Sequence, residues 1–403
     1  MAQFNITLTT ELLHGLFSNN GRDQAVTKLM EEIFNQVLLA QSEDQIGAAP
    51  YERTNERTCY RNGFRDRNLT TRVGHLTLHV PRLRNGDFST ELFERYQRSE
   101  QALVLAMMEM VINGVSTRKV ERITEELCGK KFSKSTVSKL CESLDPVVNA
   151  FKNRPLESHY PFLIVDALYL KVRANQRVQS RGLLIAIGVN SEGNREVIGF
   201  QVANTESESS WSDFFSSLKN RGLKDVRLVT SDNHKGLVSA IHKEFQGATW
   251  QRCQTHFSRN ILDQTPKSLQ PILKEDLRQL YEAIDLESAM KVRDNIFLKY
   301  ETAAPKAMAL LDEAFADITG VLTLPLKYRK RLRTTNGVER LNQEIRRRER
   351  VIRIFPNEES VIRLMGALLM EQSEIWQTGR KYFEMDLFYQ SLHNPQKTDN
   401  QAA

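Results

Sequence analysis

The stretch Phe162-Leu163-Ile164-Val165-Asp166-Ala167-Leu168-Tyr169-Leu170 decides how this chain is read. An apolar run of that length, entered through Pro161, has the texture of a strand covered on both faces. Yet an aspartate sits in its middle. A carboxylate inside a buried strand is costly unless a partner or a cation neutralises it. A second run, Val226-Arg227-Leu228-Val229-Thr230-Ser231-Asp232, ends on another aspartate, and Glu339 lies in the first turn of an arginine-rich helical segment, 334–348. Three such carboxylates drawn together would repel one another, and divalent cations are the usual remedy. The combination predicts metal-dependent phosphoryl transfer on nucleic acid.

Working outward, strands are expected at 162–172, 183–189, 196–202, 226–230 and 249–253, with helices at 210–218, 237–245 and from His256. The order β-β-β-α-β-α-β-α, three meandering antiparallel strands followed by right-handed crossovers, is the ribonuclease H-like arrangement within the α/β class. In it the fourth strand lies parallel beside the first, which brings Asp166 and Asp232 together. From 262 to 326 only helical periodicity is present, so a helical insertion is expected to divide this catalytic fold before its last helix. The reading assigns 151–262 with 327–375 to the catalytic core, 263–326 to the insertion and 376–403 to a C-terminal tail.

Ahead of the core, 1–98 reads as a helical and basic region. It holds a helix at 23–41, then a strand-like stretch in which Arg72 to Arg82 alternates in period two, ended by a turn at Asn85-Gly86-Asp87. His75 and His79 read as exposed strand residues. Residues 99–150 read as short helices, with Ser116 and Ser133 as caps, Gly129 closing one helix and Pro146 stopping another. They fit a helix-turn-helix that presents Lys134 and Lys139 to DNA.

At 403 residues, 40% of them hydrophobic, the chain can bury several cores. No apolar run approaches the ~20 residues that span a bilayer, and Met1-Ala2-Gln3-Phe4-Asn5 lacks the pattern of a secretory signal. A cytoplasmic protein is expected. Cys59, Cys128, Cys141 and Cys253 form no CxxC pair. The net charge of +6 is unevenly placed, with eight arginines in 331–353 and ten in 53–98. Such clusters read as phosphate contacts, here Arg340, Arg346, Arg347 and Arg348, although a solvated helix face has the same composition.

Each acidic residue has a plainer role open to it. Asp166 can bond backbone amides, Asp232 can begin a turn, and Glu339, three residues after Asn336, has capping-box spacing. The helix from Asn336 nevertheless sets Glu339, Asn342 and Arg346 on one polar face by i, i+3, i+7 spacing. Glu344 lies roughly 140° away and is better placed for Arg340 or Arg348. Cys253 and His256 make half a zinc site at most; a structural role beside the cleft is favoured, with Asn336 and Asn342 nearby.

The segments Leu163-Ile164-Val165-Asp166-Ala167, Thr230-Ser231-Asp232, Gln251-Arg252-Cys253-Gln254-Thr255-His256-Phe257-Ser258-Arg259-Asn260 and Thr335-Asn336-Gly337-Val338-Glu339-Arg340-Leu341-Asn342-Gln343-Glu344 resemble the Mutator-type DDE transposases of bacterial insertion sequences. The likeness covers about residues 20–375, and the acidic spacings of 66 and 107 residues suit it. It implies a transposase that binds the terminal inverted repeats of its element and cuts and joins DNA. It further implies Asp166, Asp232 and Glu339 as the catalytic, metal-holding residues, magnesium or manganese as cofactor (two ions), double-stranded DNA as partner and a homo-oligomer on DNA. A nuclease on the same fold and a non-catalytic DNA-binding regulator are the alternatives.

Overall fold

The computed structural model describes residues 6, 8–10, 22–52, 54, 57–71, 73–84, 88–90, 92, 101–128, 132–156 and 159–393. The chain divides into two compact units, Met1–Ser143 and Leu144–Ala403.

In the first unit the helix α1 (Arg22–Ile46) precedes an antiparallel hairpin of β1 (Arg61–Thr71) and β2 (Gly74–Leu83). Leu69, Leu76, Leu78 and Val80 alternate along one face of the hairpin and bury themselves with Leu38 of α1. Glu31 and Asn35 of α1 accept the outward N–H groups of Thr77 and His79 at 2.6 and 2.7 Å, which caps the open edge of β2. His75 and His79 are exposed. Then come α2 (Gln101–Ile112), α3 (Thr117–Cys128) and α4 (Lys134–Cys141), closed over Leu103, Met107, Val120, Phe132 and Val137. Ser116 and Ser133 cap α3 and α4 by accepting the N–H groups of Lys119 and Thr136. The turn at 85–87, Gly129 and residues 394–403 lie outside the described residues.

The second unit opens with α5 (Asp145–Asn153), which was not foreseen. Pro146, expected to stop a helix, sits in the first turn of this one, where its missing N–H costs nothing. The sheet follows as β3 (Phe162–Ala174), β4 (Arg177–Val189), β5 (Arg195–Ala203), α6 (Glu208–Asn220), β6 (Leu228–Ser231), α7 (Lys235–Glu244) and β7 (Thr249–Arg252). Its five strands run in the order β5-β4-β3-β6-β7. The pairs β5–β4 and β4–β3 are antiparallel, and β3–β6 and β6–β7 are parallel. β4 begins at Arg177 rather than 183 because Asn175 and Gln176, with φ of 49° and 61°, make a two-residue hairpin turn.

Trp211, Phe214 and Phe215 of α6 and Leu237 and Ile241 of α7 bury one face of the sheet against Leu163, Val165, Leu184 and Ala186. α8 (Gln254–Asp263), α9 (Gln270–Tyr281), α10 (Leu286–Tyr300) and α11 (Pro305–Thr319) share a separate core that includes Phe257, Leu277, Ile296 and Phe315. α12 (Leu326–Leu332), α13 (Asn336–Ile352), α14 (Glu358–Thr378) and α15 (Asp386–His393) complete the unit. The segment expected to be a tail is partly core: Phe383, Met385 and Phe388 pack on Phe162 and Tyr328. The apolar residues of 382–392 form too short a run, joined to a polar end, to announce this.

β6 is short, and its ladder with β3 holds only the pairs Phe162↔Leu228, Leu163↔Val229 and Ile164↔Thr230. Beyond Ile164 the edge of β3 is left to α13. Asn342 and Arg346 of that helix bond Asp166 and the Tyr169 carbonyl, and the following Phe355 exchanges backbone bonds with Lys171 and Arg173.

α14 crosses the other face of the sheet closely, at a glycine. A Cβ on Gly366 would lie 2.3 Å from Val148 Cγ1 and 2.8 Å from Phe200 Cζ. Alanine normally stabilises a helix interior by up to about 1 kcal/mol over glycine. Here overpacking at about 1–3 kcal/mol is expected to win, so Gly366→Ala should lower the stability measured by chemical denaturation. A gain in stability would contradict this packing.

Candidate active site

Carrying the β3–β6 register two places past Ile164↔Thr230 sets Asp166 level with Asp232. Neighbouring strands lie ~4.8 Å apart, and residues of equal parity face the same side, so the two carboxylates meet where the strands part. Asp166 accepts the Ala167 N–H on Oδ1 at 2.9 Å and the Asn342 Nδ2 on Oδ2 at 2.6 Å. Burial raises its pKa to about 6; Asp232 pushes the same way, while the Asn342 and Ala167 hydrogen bonds and the nearby His256 pull against it. Asp232 has no such support. Its Oδ1 is buried with no hydrogen-bond partner among the described residues.

Glu339 comes to this place through a set of ties between distant segments. Thr230 Oγ1 donates to the Leu332 carbonyl at 2.6 Å, and the Gln254 N–H donates to the Arg333 carbonyl at 3.0 Å. Thr335 donates through both its N–H and its hydroxyl to Cys253 Sγ at 3.4 Å, and Thr255 Oγ1 donates to Asn336 Oδ1 at 3.0 Å. α13 thus begins against the ends of β6 and β7, and one turn into it stands Glu339, three residues before the Asn342 that grips Asp166. The capping box is not formed. Thr335 is the N-cap, with no side-chain cap bond, and Asn336 is turned to Thr255. Glu339 is half-buried, and no hydrogen bond or ion pair engages its carboxylate among the described residues.

The three acids do not close into a metal-sized cluster. Among the described residues no three His, Cys, Asp or Glu side chains do. Asp166 and Asp232 are side by side, and Glu339 stands on the helix face turned toward them. For a hard cation the donor set nevertheless fits: carboxylate oxygens from three elements, with those of Asp232 and Glu339 left without partners.

Cys253 is fully buried at the start of α8, one residue past the strand in which it was expected. Burial pushes its thiol up, but His256 and Thr335 outweigh this and bring it below its ordinary value. In turn Cys253, with lesser help from Asp166 and Asp232, raises the His256 pKa. Glu344 pairs with Arg347 and Arg348 at 3.1 and 2.5 Å, which lowers its pKa. Of the arginines proposed to touch DNA, Arg340 and Arg347 are exposed, and Arg346 is shared between Glu349 and the Tyr169 carbonyl. Arg348 is buried against Glu344 and is corrected: it has no surface to offer DNA.

One carboxylate escaped the sequence reading. Glu206 is half-buried before α6, accepts Tyr169 Oη at 3.2 Å and Trp211 Nε1 at 3.4 Å, and lies 3.6 Å from His234 Nδ1. Burial raises its pKa, His234 lowers it, and Asp232 raises it further, so it belongs to the same electrostatic neighbourhood. Its polar surroundings, Asn204-Thr205-Glu206-Ser207-Glu208, read only as a turn and a helix start.

The candidate site is thus an acidic pair at the parting of two parallel strands in a mixed sheet, with Glu339 one helical turn before the Asn342 that holds Asp166. Comparison of the whole chain gives its family. The profile described as "Transposase, Mutator family" matches residues 1–379, and the chain belongs to that family. It is 46% identical over 390 residues, 96% of this chain and all of the other, to the transposase for insertion sequence element IS256 in transposon Tn4001 of Staphylococcus aureus. It is 46% identical over 372 residues, 92% of each chain, to the transposase for element ISRM5 of Rhizobium meliloti. With the transposase for element IS1081 of Mycobacterium tuberculosis it shares 41% over 350 residues, 86% of this chain and 84% of the other. No described helix is long and apolar enough to cross a membrane.

The raised Asp166 pKa has a signed consequence for the metal-free protein. A carboxyl raised from 3.8 to about 6 binds its proton more tightly when folded. Its stabilising contribution is therefore whole below about pH 4 and is lost as pH rises through about 6. The shift corresponds to about 3 kcal/mol. Without metal, Asp166→Asn should raise the melting temperature at pH 7.5 and change it little at pH 4. Equal effects at both pH values would refute the assignment.

Proposed function

We propose that this protein moves its own insertion element by metal-dependent DNA cleavage and strand transfer. Asp166, Asp232 and Glu339 are the proposed catalytic residues of a ribonuclease H-like core. The observation that carries the reading is the pair of unpartnered carboxylates, Asp232 and Glu339, beside an Asp166 held by Asn342. Close by, Asn342 Oδ1 and His256 Nδ1 are also buried with no hydrogen-bond partner among the described residues, and unpartnered polar atoms gathered around two such acids are what a cation-binding site leaves when the ion is not counted.

The same three residues would hold Mg²⁺ or Mn²⁺, two ions on this reading. Such ions neutralise charge on the attacking and leaving oxygens of an in-line displacement at phosphorus. The chain's own groups do the rest. Asn342 holds Asp166 Oδ2 and the Ala167 N–H holds Oδ1, which fixes the plane of the carboxylate and leaves each oxygen a further lone pair. His256, its pKa raised chiefly by Cys253, stands near both aspartates. Arg340 and Arg347, exposed on α13, and the half-exposed Arg346 are the proposed contacts to DNA phosphates.

Recognition of the element's terminal inverted repeats is assigned to the first unit. α3 and α4 are read as a helix-turn-helix, with the exposed Lys134 and Lys139 on its second helix. The α8–α11 bundle is read as the helical insertion. Cutting two ends and joining them to a target calls for more than one copy of the chain, so a homo-oligomer on double-stranded DNA is part of the proposal.

Glu339 and Glu344 make the sharpest comparison, because both lie on α13. Glu339→Gln should reduce Mg²⁺-dependent cleavage of element-end DNA by more than ~100-fold with no loss of folding, since its carboxylate has no partner to lose. Glu344→Gln loses an exposed ion pair with Arg347 and removes the charge opposite the buried Arg348, so it should cost stability yet cut and join normally. Products that are cleaved yet never joined would instead identify a nuclease, and the reverse pattern between the two variants would move the catalytic role to Glu344.

A further inference from the structure

We propose that the β1–β2 hairpin and the loop before it form a second duplex-DNA surface, separate from α3 and α4. This inference rests on the transposase reading above and adds to it the element that meets the phosphate backbone. Arg65 lies opposite Val80 in the ladder, and Arg82, two residues on, continues the same face beyond the buried Leu69, Leu76, Leu78 and Val80. Arg84 follows. All three are exposed, and among the described residues no carboxylate pairs with any of them.

Uncovered edge strands often carry charge merely to prevent pairing with other chains. That explanation reaches Arg65 on the open β1 edge but not Arg82, because Glu31 and Asn35 already cap the edge of β2. A row of unneutralised guanidinium groups along a rigid two-stranded ribbon matches a polyanion, and the major groove admits such a ribbon.

A second, independent feature joins it. Ala49–Glu52 forms a turn closed by the Glu52 N–H on the Ala49 carbonyl at 3.2 Å, with Tyr51 at its third position and φ of 64°. Glycine or asparagine is usual there, and a bulky residue costs energy. Tyr51 nonetheless stands fully exposed, at 101%, and packs on nothing in return. The turn leads directly to the hairpin: Arg57 Nη1 donates to the Glu52 carbonyl, its guanidinium lies over the Tyr60 ring at 5.1 Å, and the Tyr60 carbonyl accepts the Arg84 N–H. A strained, solvent-facing aromatic on the loop that leads into this hairpin suits contact with sugars or base faces.

The test uses the full chain without Mg²⁺, so that a failure of catalysis cannot affect it. Duplexes carrying the element's end and a scrambled sequence of equal length are titrated across a salt series. The triple variant Arg65→Ala/Arg82→Ala/Arg84→Ala should lose at least tenfold in affinity for both duplexes. Its slope of log affinity against log salt should fall by ~0.9 for each phosphate contact removed, while the three-lysine variant keeps most of the slope. Tyr51→Gly should fold at least as stably as the wild type yet bind more weakly. A triple variant with wild-type affinity and slope would overturn the inference and leave the transposase reading standing. A wild-type chain that binds neither duplex would overturn both.

Discussion

The early end of the β3–β6 ladder is the constraint on which the rest of the second unit depends. Three residue pairs hold the strands together, and after Ile164↔Thr230 they part. Had the ladder run on, Asp166 and Asp232 would sit in a closed sheet, and the edge that receives α13 would not exist. Because it stops, two carboxylates face each other at the carboxyl end of the parallel pair. This is also where the chain order reverses direction across the sheet, the usual place for ligands in open α/β folds. The edge left bare from Val165 onward is then covered by Asn342, Arg346 and Phe355.

This geometry is bought with stability. An aspartate raised to about 6 beside a second carboxylate with a buried, unbonded oxygen is an arrangement that folding alone would not favour. The surrounding structure is correspondingly firm. Thr230, Cys253, Gln254 and Thr255 each bond the 332–336 segment, so the strand ends and the start of α13 are fastened as one piece. The Cys253–His256 pair belongs to this fastening. Its thiol is spent on Thr335, while its histidine faces the aspartates.

Much of this was legible in the sequence because the second unit is strongly patterned. Long apolar runs interrupted by aspartates announced β3 and β6, and the helical repeat of Val338, Leu341 and Ile345 announced α13 and the face opposite its core. The failures have physical causes. The first half of β4 is polar and its turn is Asn-Gln, so nothing local marked it as strand. Pro146 carries the same letter whether it ends a helix or begins one. Phe383 and Phe388 are core residues only because Phe162 and Tyr328 wait for them from far along the chain. Arg348 looked like its neighbours Arg346 and Arg347, and only the fold reveals that its side of α13 is buried. Glu206 could not be found at all, since its closeness to Asp232 arises from the β5–α6 and β6–α7 loops meeting in space.

The central claim is that Asp166, Asp232 and Glu339 together hold divalent cations. Anomalous scattering from crystals of the full chain soaked in Mn²⁺ tests it most directly. The account predicts a peak bound by the carboxylates of Asp166 and Asp232, with Glu339 as a further ligand. A peak on Cys253 and His256 instead, or no peak between the aspartates at saturating Mn²⁺, would contradict it.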